Sequence, residues 1–255
     1  MNLDRIVIIG AGNSIRPELK NGLWNKLGNE ITFALNDVIY FFEPTIPIFV
    51  DWYWYKARAK KLEEYDLVIG KWDIKIGSRF HECDEVGKNI ILLQPSNNEY
   101  QGIKSWKNGF YSGVLCGCFA LTLAICLGFK EIYLLGYDFG EINGKTHFYQ
   151  KEDLKDQKIG IIKEKGSVDR CGIGKDKKGN YRTGVYNNNA IKYFEPYKEV
   201  SKEIKIFNVS VNSRINIFPK ITYEEFYQKL KNKPVNINHA TSRTKIKNFI
   251  EEKIK

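Results

Sequence analysis

Short apolar runs separated by polar and glycine-containing segments recur along the chain. The first, from Arg5 to Gly10, is a continuous run of β-branched residues stopped by a glycine, which is typical of a strand buried on both faces of a parallel sheet. Comparable runs predict further strands at 31–35, 46–50, 67–69, 89–93, 132–136 and 205–209.

Helices are predicted between these strands. The clearest covers residues 112–127, which are apolar on nearly every side, so we expect a deeply buried helix that ends at Gly128. Further along, Thr222 and Glu225 have the spacing of a capping box at the start of a helix over 222–230. Other helices are predicted at 17–27, 54–64, 189–204 and from about residue 242.

This alternation predicts an α/β fold with a doubly wound, Rossmann-like and mostly parallel sheet. We assign residues 1–231 to one α/β domain. Within it, residues 137–188 show little periodicity, and an irregular stretch of this length is typical of a lid insertion over a functional site. Residues 232–255 are predicted to form a basic C-terminal helical tail.

The net charge of +10 is unevenly distributed. Residues 1–150 carry 16 basic and 17 acidic side chains, whereas residues 151–255 carry 24 basic and 13 acidic ones. A basic half can bind nucleic acid, an anionic membrane or a phosphorylated substrate, or it can simply be a lysine-rich solvated surface.

The five cysteines form no regular framework, and three of them lie on the apolar helix predicted over 112–127. We interpret these as buried reduced thiols, which favours a cytoplasmic protein. Only His81 with Cys83 could begin a zinc site, and no second half is present, so no metal site is expected. The chain shows no signal-peptide pattern and no apolar run long enough for a transmembrane segment. A homo-oligomer is compatible with the sequence.

The glycine turn after the first strand is the first candidate site. Gly10 and Gly12 would let the backbone approach a phosphate or ribose closely, and Asn13 and Ser14 lead into a helix whose N–H groups favour an anion. Because Ile15 stands where the dinucleotide fingerprint has its third glycine, NAD is not favoured. A simple tight turn is the alternative.

Polar residues also follow several other strands. Asn36, Asp37, Asp51 and Asp138 come directly after apolar runs, and in an open α/β sheet ligands bind at the carboxyl ends of the strands. The alternative is that Asn and Asp merely favour turns there. At the start of the buried helix, Ser112 and Gly113 would either cap the helix or direct its N–H groups at a phosphate.

The predicted lid contributes the remaining candidates. His147 is the best acid–base candidate of the three histidines, with Asp138 as the other candidate catalytic base, whereas His81 and His239 are expected on the surface. Tyr149, Tyr181 and Arg182 are candidates for binding the leaving phosphate or closing the lid. A solvated surface is the alternative for Arg182.

A family resemblance rests on four stretches: 8–15 (IIGAGNSI), 33–37 (FALND), 111–114 (YSGV) and 127–139 (LGFKEIYLLGYDF). Together they resemble the bacterial sialyltransferases that use CMP-sialic acid, and equally their relatives, the motility-accessory-factor proteins and the 6-hydroxymethylpterin diphosphokinases. The similarity runs from residue 5 to about 140 and resumes near 188–220.

The resemblance implies that a set of residues at the strand ends surrounds CMP. The chain departs from the family at Ala11 and Asn13, and the lid stretch 180–186, where the family has its catalytic histidine, contains none. The implied CMP-binding residues are Gly10, Gly12, Ser14, Asn36, Asp51, Ser112 and Gly113.

These observations predict a nucleotide-dependent transferase, foremost a glycosyltransferase with a nucleotide-sugar donor and no required cofactor. The first alternative is a diphosphokinase that uses ATP and Mg²⁺ near Asp37, Asp51 or Asp138, although no Walker A motif is present. The second is a nucleic-acid-binding protein that uses the basic half. The sequence does not identify the acceptor, the sugar or the base.

Overall fold

A computed structural model describes residues 3–71, 86–94, 106, 111–113, 115–140, 142–143, 145, 147–149, 191–235 and 237–254. Seven strands in these ranges form one sheet in the order β5-β4-β3-β2-β1-β6-β7, and every pairing is parallel. The predicted α/β, Rossmann-like fold is therefore confirmed. The strands are β1 (Arg5–Ile9), β2 (Thr32–Leu35), β3 (Ile46–Phe49), β4 (Val68–Lys71), β5 (Ile90–Leu93), β6 (Glu131–Leu135) and β7 (Lys205–Asn208).

Helices connect the strands and cover both faces of the sheet. Short 3-10 helices lie at Asn13–Ile15, Asn36–Tyr40 and Lys192–Phe194. The α-helices are α1 (Arg16–Lys20), α2 (Leu23–Leu27), α3 (Trp52–Leu62), α4 (Cys116–Cys126), α5 (Tyr197–Val200), α6 (Tyr223–Asn232) and α7 (His239–Ile254).

Alternating side chains of the strands supply two separate cores. In β1, Ile6 and Ile8 pack into the core that contains residues of α4, α5 and α7. Val7 and Ile9 point to the opposite face and pack with residues of α2, α3 and α6. Because successive side chains of a strand leave opposite faces, a continuous apolar run can serve both cores, as the sequence pattern predicted.

Helix α4 is the apolar helix expected from the sequence, and its residues from Cys116 to Ile125 are buried. It ends where predicted, since Gly128 adopts a left-handed φ of 88°. Its start differs from the prediction: the helix begins at Cys116 with Leu115 as its N-cap, so Ser112 does not cap it. The Ser112 carbonyl instead accepts a hydrogen bond from the Leu115 N–H at 2.8 Å.

Two other predicted helices are shorter than expected. The segment 17–27 is divided into α1 and α2 at Gly22, whose φ of 73° is incompatible with a continuous helix. In the described part of the segment 189–204, Ile191 is helical and is followed by a 3-10 helix and by the single turn α5, with turns between and after them.

The C-terminal helix α7 packs on the sheet. Ile246 and Ile250 are fully buried in the same core as α4. His239, which the sequence placed on the surface, is half-buried: its Nδ1 lies 2.8 Å from Thr45 Oγ1 and its Nε2 lies 2.7 Å from the Gly28 carbonyl. Within the described ranges, no helix has the length and apolar character needed to cross a membrane.

The order of the sheet reverses at β1, whose two neighbours are β2 on one side and β6 on the other. In open parallel sheets, ligands bind outside the carboxyl ends of the strands at such a switch point. Most of the predicted lid, residues 137–188, lies outside the described residues.

Candidate functional site

The fold brings the predicted site residues of the described ranges to one edge of the sheet, the carboxyl ends of its strands, which we call the carboxyl edge. Tyr181 and Arg182 lie outside the described residues. The residues on or beside this edge are Gly10, Gly12, Asn13 and Ser14 after β1; Asn36 and Asp37 after β2; Asp51 after β3; Ser112 and Gly113 before α4; and Asp138, His147 and Tyr149 after β6.

The glycine turn packs tightly against the loop that follows β6. The N–H of Gly10 donates to Leu135 O at 2.7 Å, and the N–H of Gly12 donates to Gly136 O at 2.9 Å. A Cβ at Gly12 would lie 2.5 Å from both Gly136 O and the Asp138 carboxylate. Glycine is therefore required here for the approach of two protein loops, and these two N–H groups are bonded within the protein rather than presented to a phosphate.

Asp138 is held by Ser14. Its Oδ2 accepts the Ser14 N–H at 2.8 Å and its Oδ1 accepts the Ser14 hydroxyl at 2.6 Å. The residue is only 2% exposed, and its own carbonyl accepts the Arg214 N–H at 2.9 Å. A buried carboxylate with both oxygens bonded to one neighbour fastens the glycine turn to β6, which is a different role from that of the catalytic base expected from the sequence.

Several buried polar atoms at the carboxyl edge have no hydrogen-bond partner among the described residues. They belong to the ends of three different strands: Asn13 follows β1, Asn36 follows β2, and Asn208 and Ser210 lie at the end of β7. Buried polar atoms are nearly always satisfied by protein, water or ligand. These atoms make the carboxyl edge a candidate for binding a polar ligand.

Asn36 combines an unpartnered atom with an unusual backbone. Its φ is 52°, in the left-handed region, and its Oδ1 is buried without a partner in the described structure. Asparagine tolerates this conformation better than most residues. A rarely populated backbone conformation is costly and persists where the surroundings impose it, which occurs most often at ligand sites.

Asp37, the next residue, is engaged by helix α3. Its Oδ1 accepts hydrogen bonds from Trp54 Nε1 and Arg58 Nε, both at 2.8 Å, and its Oδ2 accepts Arg58 Nη2 at 3.4 Å. Sequence reasoning missed both partners, because their spacing from Asp37 carries no recognisable motif. Asp51 caps the same helix by accepting the Trp54 N–H at 2.9 Å.

The turn before α4 is fixed from two sides. Gly113 has a φ of 48°, and a Cβ there would lie 2.8 Å from the side chain of Tyr193. The hydroxyl of Tyr111 donates to Tyr193 O at 2.8 Å. The Sγ of Cys116 lies 3.5 Å from Ile48 O, so the start of α4, with Ser112 just before it, lies at the carboxyl end of β3.

His147 and Tyr149 flank a firmly anchored residue. Phe148 is fully buried, its N–H donates to Ala11 O at 2.9 Å, and its carbonyl accepts Arg16 Nη1 at 3.5 Å. The ring of Tyr149 stacks on Phe41 with centroids 5.3 Å apart. The segment 147–149 therefore lies over the ends of β1 and β2, between the glycine turn and the 3-10 helix Asn36–Tyr40.

The electrostatic surroundings of His147 act in two directions. Burial lowers the pKa of His147 below its ordinary value, because desolvation disfavours the charged imidazolium. The carboxylate of Asp37 raises the pKa, because a nearby negative charge favours that cation. An imidazole kept neutral in this way can accept a proton.

No protein-family model matches this chain, and no curated protein or solved structure matches it either. The resemblance to the sialyltransferases and their relatives therefore stays a prediction from the sequence. In the described ranges, no three His, Cys, Asp or Glu side chains are grouped as a metal ion would require.

Two residues at the end of β7 were not singled out from the sequence. Asn208 is fully buried; its Nδ2 donates to Ser213 Oγ at 2.8 Å while its Oδ1 lacks a partner in the described structure. Ser210, two residues on, also carries a buried and unpartnered oxygen in that part of the chain. The signal that identified Asn36, a polar residue closing an apolar run, was present here as well.

Proposed function

We propose that this chain is a nucleotide-dependent transferase that transfers a glycosyl group from a nucleotide-sugar donor. Support comes from the four stretches that resemble the sialyltransferases and from the position of their residues at the carboxyl edge of a parallel sheet. The donor would lie over the ends of β1, β2 and β3, beside the turn that precedes α4.

The observation that carries the proposal is Asn36. It directly follows β2 with a left-handed backbone, and its Oδ1 is buried without a partner among the described residues. A nucleoside offers the ribose hydroxyls and the base N–H groups that such an acceptor needs. The Oδ1 of Asn36 would receive a hydrogen bond only when the nucleotide-sugar donor binds. Binding would therefore offset the cost of burying this oxygen without a partner, which is about 1 to 3 kcal/mol.

The chemistry assigned to the site is acid–base catalysis by His147. As the acceptor oxygen bonds to the anomeric carbon, His147 takes the hydroxyl proton, and the bond from that carbon to the leaving phosphate oxygen breaks. The lowered pKa of His147 favours the neutral form that accepts the proton. Tyr149 lies beside it, with ring centroids 5.3 Å apart, as a donor toward the leaving phosphate. Asp138 is assigned as a positioning residue in this scheme, because it is buried and each of its oxygens accepts a hydrogen bond from Ser14.

The proposal is tested by nucleotide binding to the full chain. We expect CMP, UDP or GDP at millimolar concentration to raise the melting temperature, with CMP giving the largest increase. The variant Asn36→Gly keeps the left-handed backbone at no steric cost and removes the amide, so it should fold and lose most of that increase. Asn248→Ala, an exposed change on α7, is the matched control and should retain it.

Two outcomes would overturn the proposal. If none of the nucleotides raised the melting temperature, the proposal that the chain binds a nucleotide would be rejected. A shift that requires Mg²⁺ and is largest with ATP would replace glycosyl transfer by the diphosphokinase alternative.

A further inference from the structure

The two carboxylate oxygens of Asp37 are engaged unequally. Its Oδ1 accepts hydrogen bonds from Trp54 Nε1 and Arg58 Nε, both at 2.8 Å. Among the described residues, the only hydrogen bond to Oδ2 is the longer one from Arg58 Nη2, at 3.4 Å. The side chain of Asp37 stays 22% exposed, whereas that of Arg58 is only 7% exposed. Because each carboxylate oxygen has about two acceptor positions, Oδ2 can accept a further hydrogen bond.

Helix α3 holds this carboxylate in a fixed position. Trp54 and Arg58 are four residues apart in α3, so their side chains lie on one face of the helix. The Arg58 guanidinium carbon lies 5.6 Å from the centroid of the Trp54 ring, so the two donors also contact each other. The guanidinium offsets the negative charge of Asp37, which lets this carboxylate lie near an anionic ligand with less repulsion.

Asp37 lies one strand away from the glycine turn. Strands β1 and β2 are parallel neighbours, and Ile9 is paired with Ala34 near their carboxyl ends. Three residues beyond that pair come Gly12 on one side and Asp37 on the other. Since neighbouring strands are about 4.8 Å apart, Asp37 lies beside the switch point at β1, where the order of the sheet reverses.

The chemistry of the carboxylate restricts the ligand group that can bind to it. A carboxylate only accepts hydrogen bonds, so its partner has to be an N–H or O–H group. The preceding residue, Asn36, supplies a second acceptor, which is buried and unpartnered in the described structure. Acceptors on consecutive residues suit a ligand with two adjacent hydroxyl groups. In dinucleotide-binding folds, an acidic residue about 20 positions beyond the glycine turn bonds a ribose hydroxyl, and Asp37 follows Gly12 by 25 positions.

We propose that Asp37 accepts a hydrogen bond from the ribose hydroxyls of the bound nucleotide and thereby selects ribonucleotides over their deoxy forms. Trp54 and Arg58 are positioning residues that hold the carboxylate through Oδ1 and leave Oδ2 for the ribose. The inference rests on the proposed function for the presence of a nucleotide at this edge. It does not depend on the group that is transferred, because every ribonucleotide carries the same two hydroxyls.

The first measurement uses the full wild-type chain and compares CMP with 2′,3′-dideoxy-CMP by isothermal titration calorimetry, with and without Mg²⁺. A hydrogen bond to a charged group contributes enough to binding that CMP should bind about 10- to 100-fold more tightly. If ATP rather than CMP binds, ATP and 2′,3′-dideoxy-ATP replace the first pair, since the ribose is the same.

The variant Asp37→Asn should lose most of this preference. Trp54 Nε1 and Arg58 Nε both donate to the Oδ1 position, so the amide oxygen should occupy it. The NH₂ group then replaces Oδ2 and cannot accept a hydrogen bond from a hydroxyl. The matched control is Asp66→Asn, the same change beside an arginine at the opposite edge of the sheet. Asp66 precedes β4 and pairs with Arg243 at 3.0 Å, and its variant should keep the wild-type preference.

The positioning role is tested with Trp54→Phe, which keeps an aromatic ring and removes the Nε1 donor. The preference for the ribonucleotide should fall, but by less than in Asp37→Asn, because Arg58 still holds the carboxylate. An unchanged preference in this variant would overturn the assignment of Trp54 as a positioning residue.

Three results would overturn the role of Asp37 and leave the proposed function standing. The first is equal binding of CMP and dideoxy-CMP by the wild type. The second is a preference that survives in Asp37→Asn, because another residue would then contact the ribose. The third is a loss in Asp37→Asn that appears only with Mg²⁺ and is equal for both nucleotides, because Asp37 would then hold a metal ion.

The failure of the proposed function gives a different result. If the wild type binds no nucleotide at all, the proposed function is rejected and the role of Asp37 is rejected with it. If Asp37→Asn does not fold, Asp37→Glu decides in its place. This variant keeps the negative charge beside Arg58 but moves the carboxylate by one methylene group, so it should also lose the preference for the ribonucleotide.

Discussion

At the residue scale, Gly12 is a position where an added methyl group would meet two neighbours that are themselves held in place. Its ideal Cβ would lie 2.5 Å from a backbone carbonyl and 2.5 Å from a carboxylate oxygen that is itself held by two hydrogen bonds. Neither neighbour is the free end of a flexible chain, so the loops after β1 and β6 would have to separate.

We therefore predict that Gly12→Ala lowers the free energy of unfolding by about 1 to 3 kcal/mol, the usual cost of overpacking, as measured by urea denaturation. Gly28→Ala is the control: its φ is −58° and its nearest atom lies 3.4 Å away, so it should be neutral or stabilising by up to about 1 kcal/mol. Equal stability of the two variants would show that the loops are not packed as described.

The hydrogen bonds between Ser14 and Asp138 give a second prediction at this scale. In Asp138→Asn, the amide nitrogen faces one of the two Ser14 donors and cannot accept its hydrogen bond, which should cost about 1.5 to 3 kcal/mol. Ser14→Ala removes only the hydroxyl and should cost less. Because both changes break the same contact, the double variant should be less destabilised than the sum of the two.

A double-mutant cycle by chemical denaturation measures this coupling, and we expect it to exceed about 0.5 kcal/mol. Strict additivity would mean that Asp138 does not act through Ser14. The assignment of Asp138 as a positioning residue would then lose its basis.

At the element scale, helix α6 begins with the capping box that the sequence predicted. Thr222 Oγ1 accepts the Glu225 N–H at 3.1 Å, and Glu225 Oε2 accepts the Thr222 N–H at 2.7 Å. We predict that Thr222→Ala costs about 1 kcal/mol of stability in thermal unfolding. Thr244→Ala in α7 should cost almost nothing, since the Thr244 hydroxyl only bonds back to Ala240 O in its own helix. Comparable losses in both would contradict a capping role.

The elements that the sequence predicted well are those whose signal is local. Strand β1 and helix α6 are defined by an apolar run and a cap, and both lie where their residues indicated. The predictions failed where a distant contact decides. Helix α4 starts four residues late because the stretch from Tyr111 to Gly113 is fixed by Tyr193, about 80 residues further along the chain.

The same distinction applies to the site. Position after a strand end is a local property, and it correctly placed Asn36 and Asp37 on the carboxyl edge of the sheet. The partners of those residues are not local: nothing in the sequence pairs Asp37 with Arg58, or Ser14 with Asp138. Sequence patterns thus located the carboxyl edge of the sheet. They could not show which polar side chains at this edge form hydrogen bonds within the protein.

At the scale of the whole molecule, the basic C-terminal segment is tied to the sheet at three points. His239 bonds to Thr45 and Gly28, Arg243 pairs with Asp66 at 3.0 Å, and two isoleucines of α7 enter the core. A positive net charge can be read from composition, but composition does not reveal that one face of a basic helix is buried. The lysines of α7 are thus the outward face of an element that closes the core around α4.

This arrangement predicts that α7 unfolds together with the sheet. Ile246 and Ile250 are fully buried, so Ile246→Ala and Ile250→Ala should each lower the free energy of unfolding by about 2 to 5 kcal/mol. Ile254, one turn further along the same helix, is 52% exposed, and Ile254→Ala should change stability by less than about 0.5 kcal/mol. Circular dichroism and near-ultraviolet absorbance should report one shared transition in each variant. If α7 were an independent tail, the two core variants would melt the helix in a separate, earlier step and leave the main transition unchanged. The reason is that the stability of the sheet would then not depend on the contacts of these two isoleucine side chains.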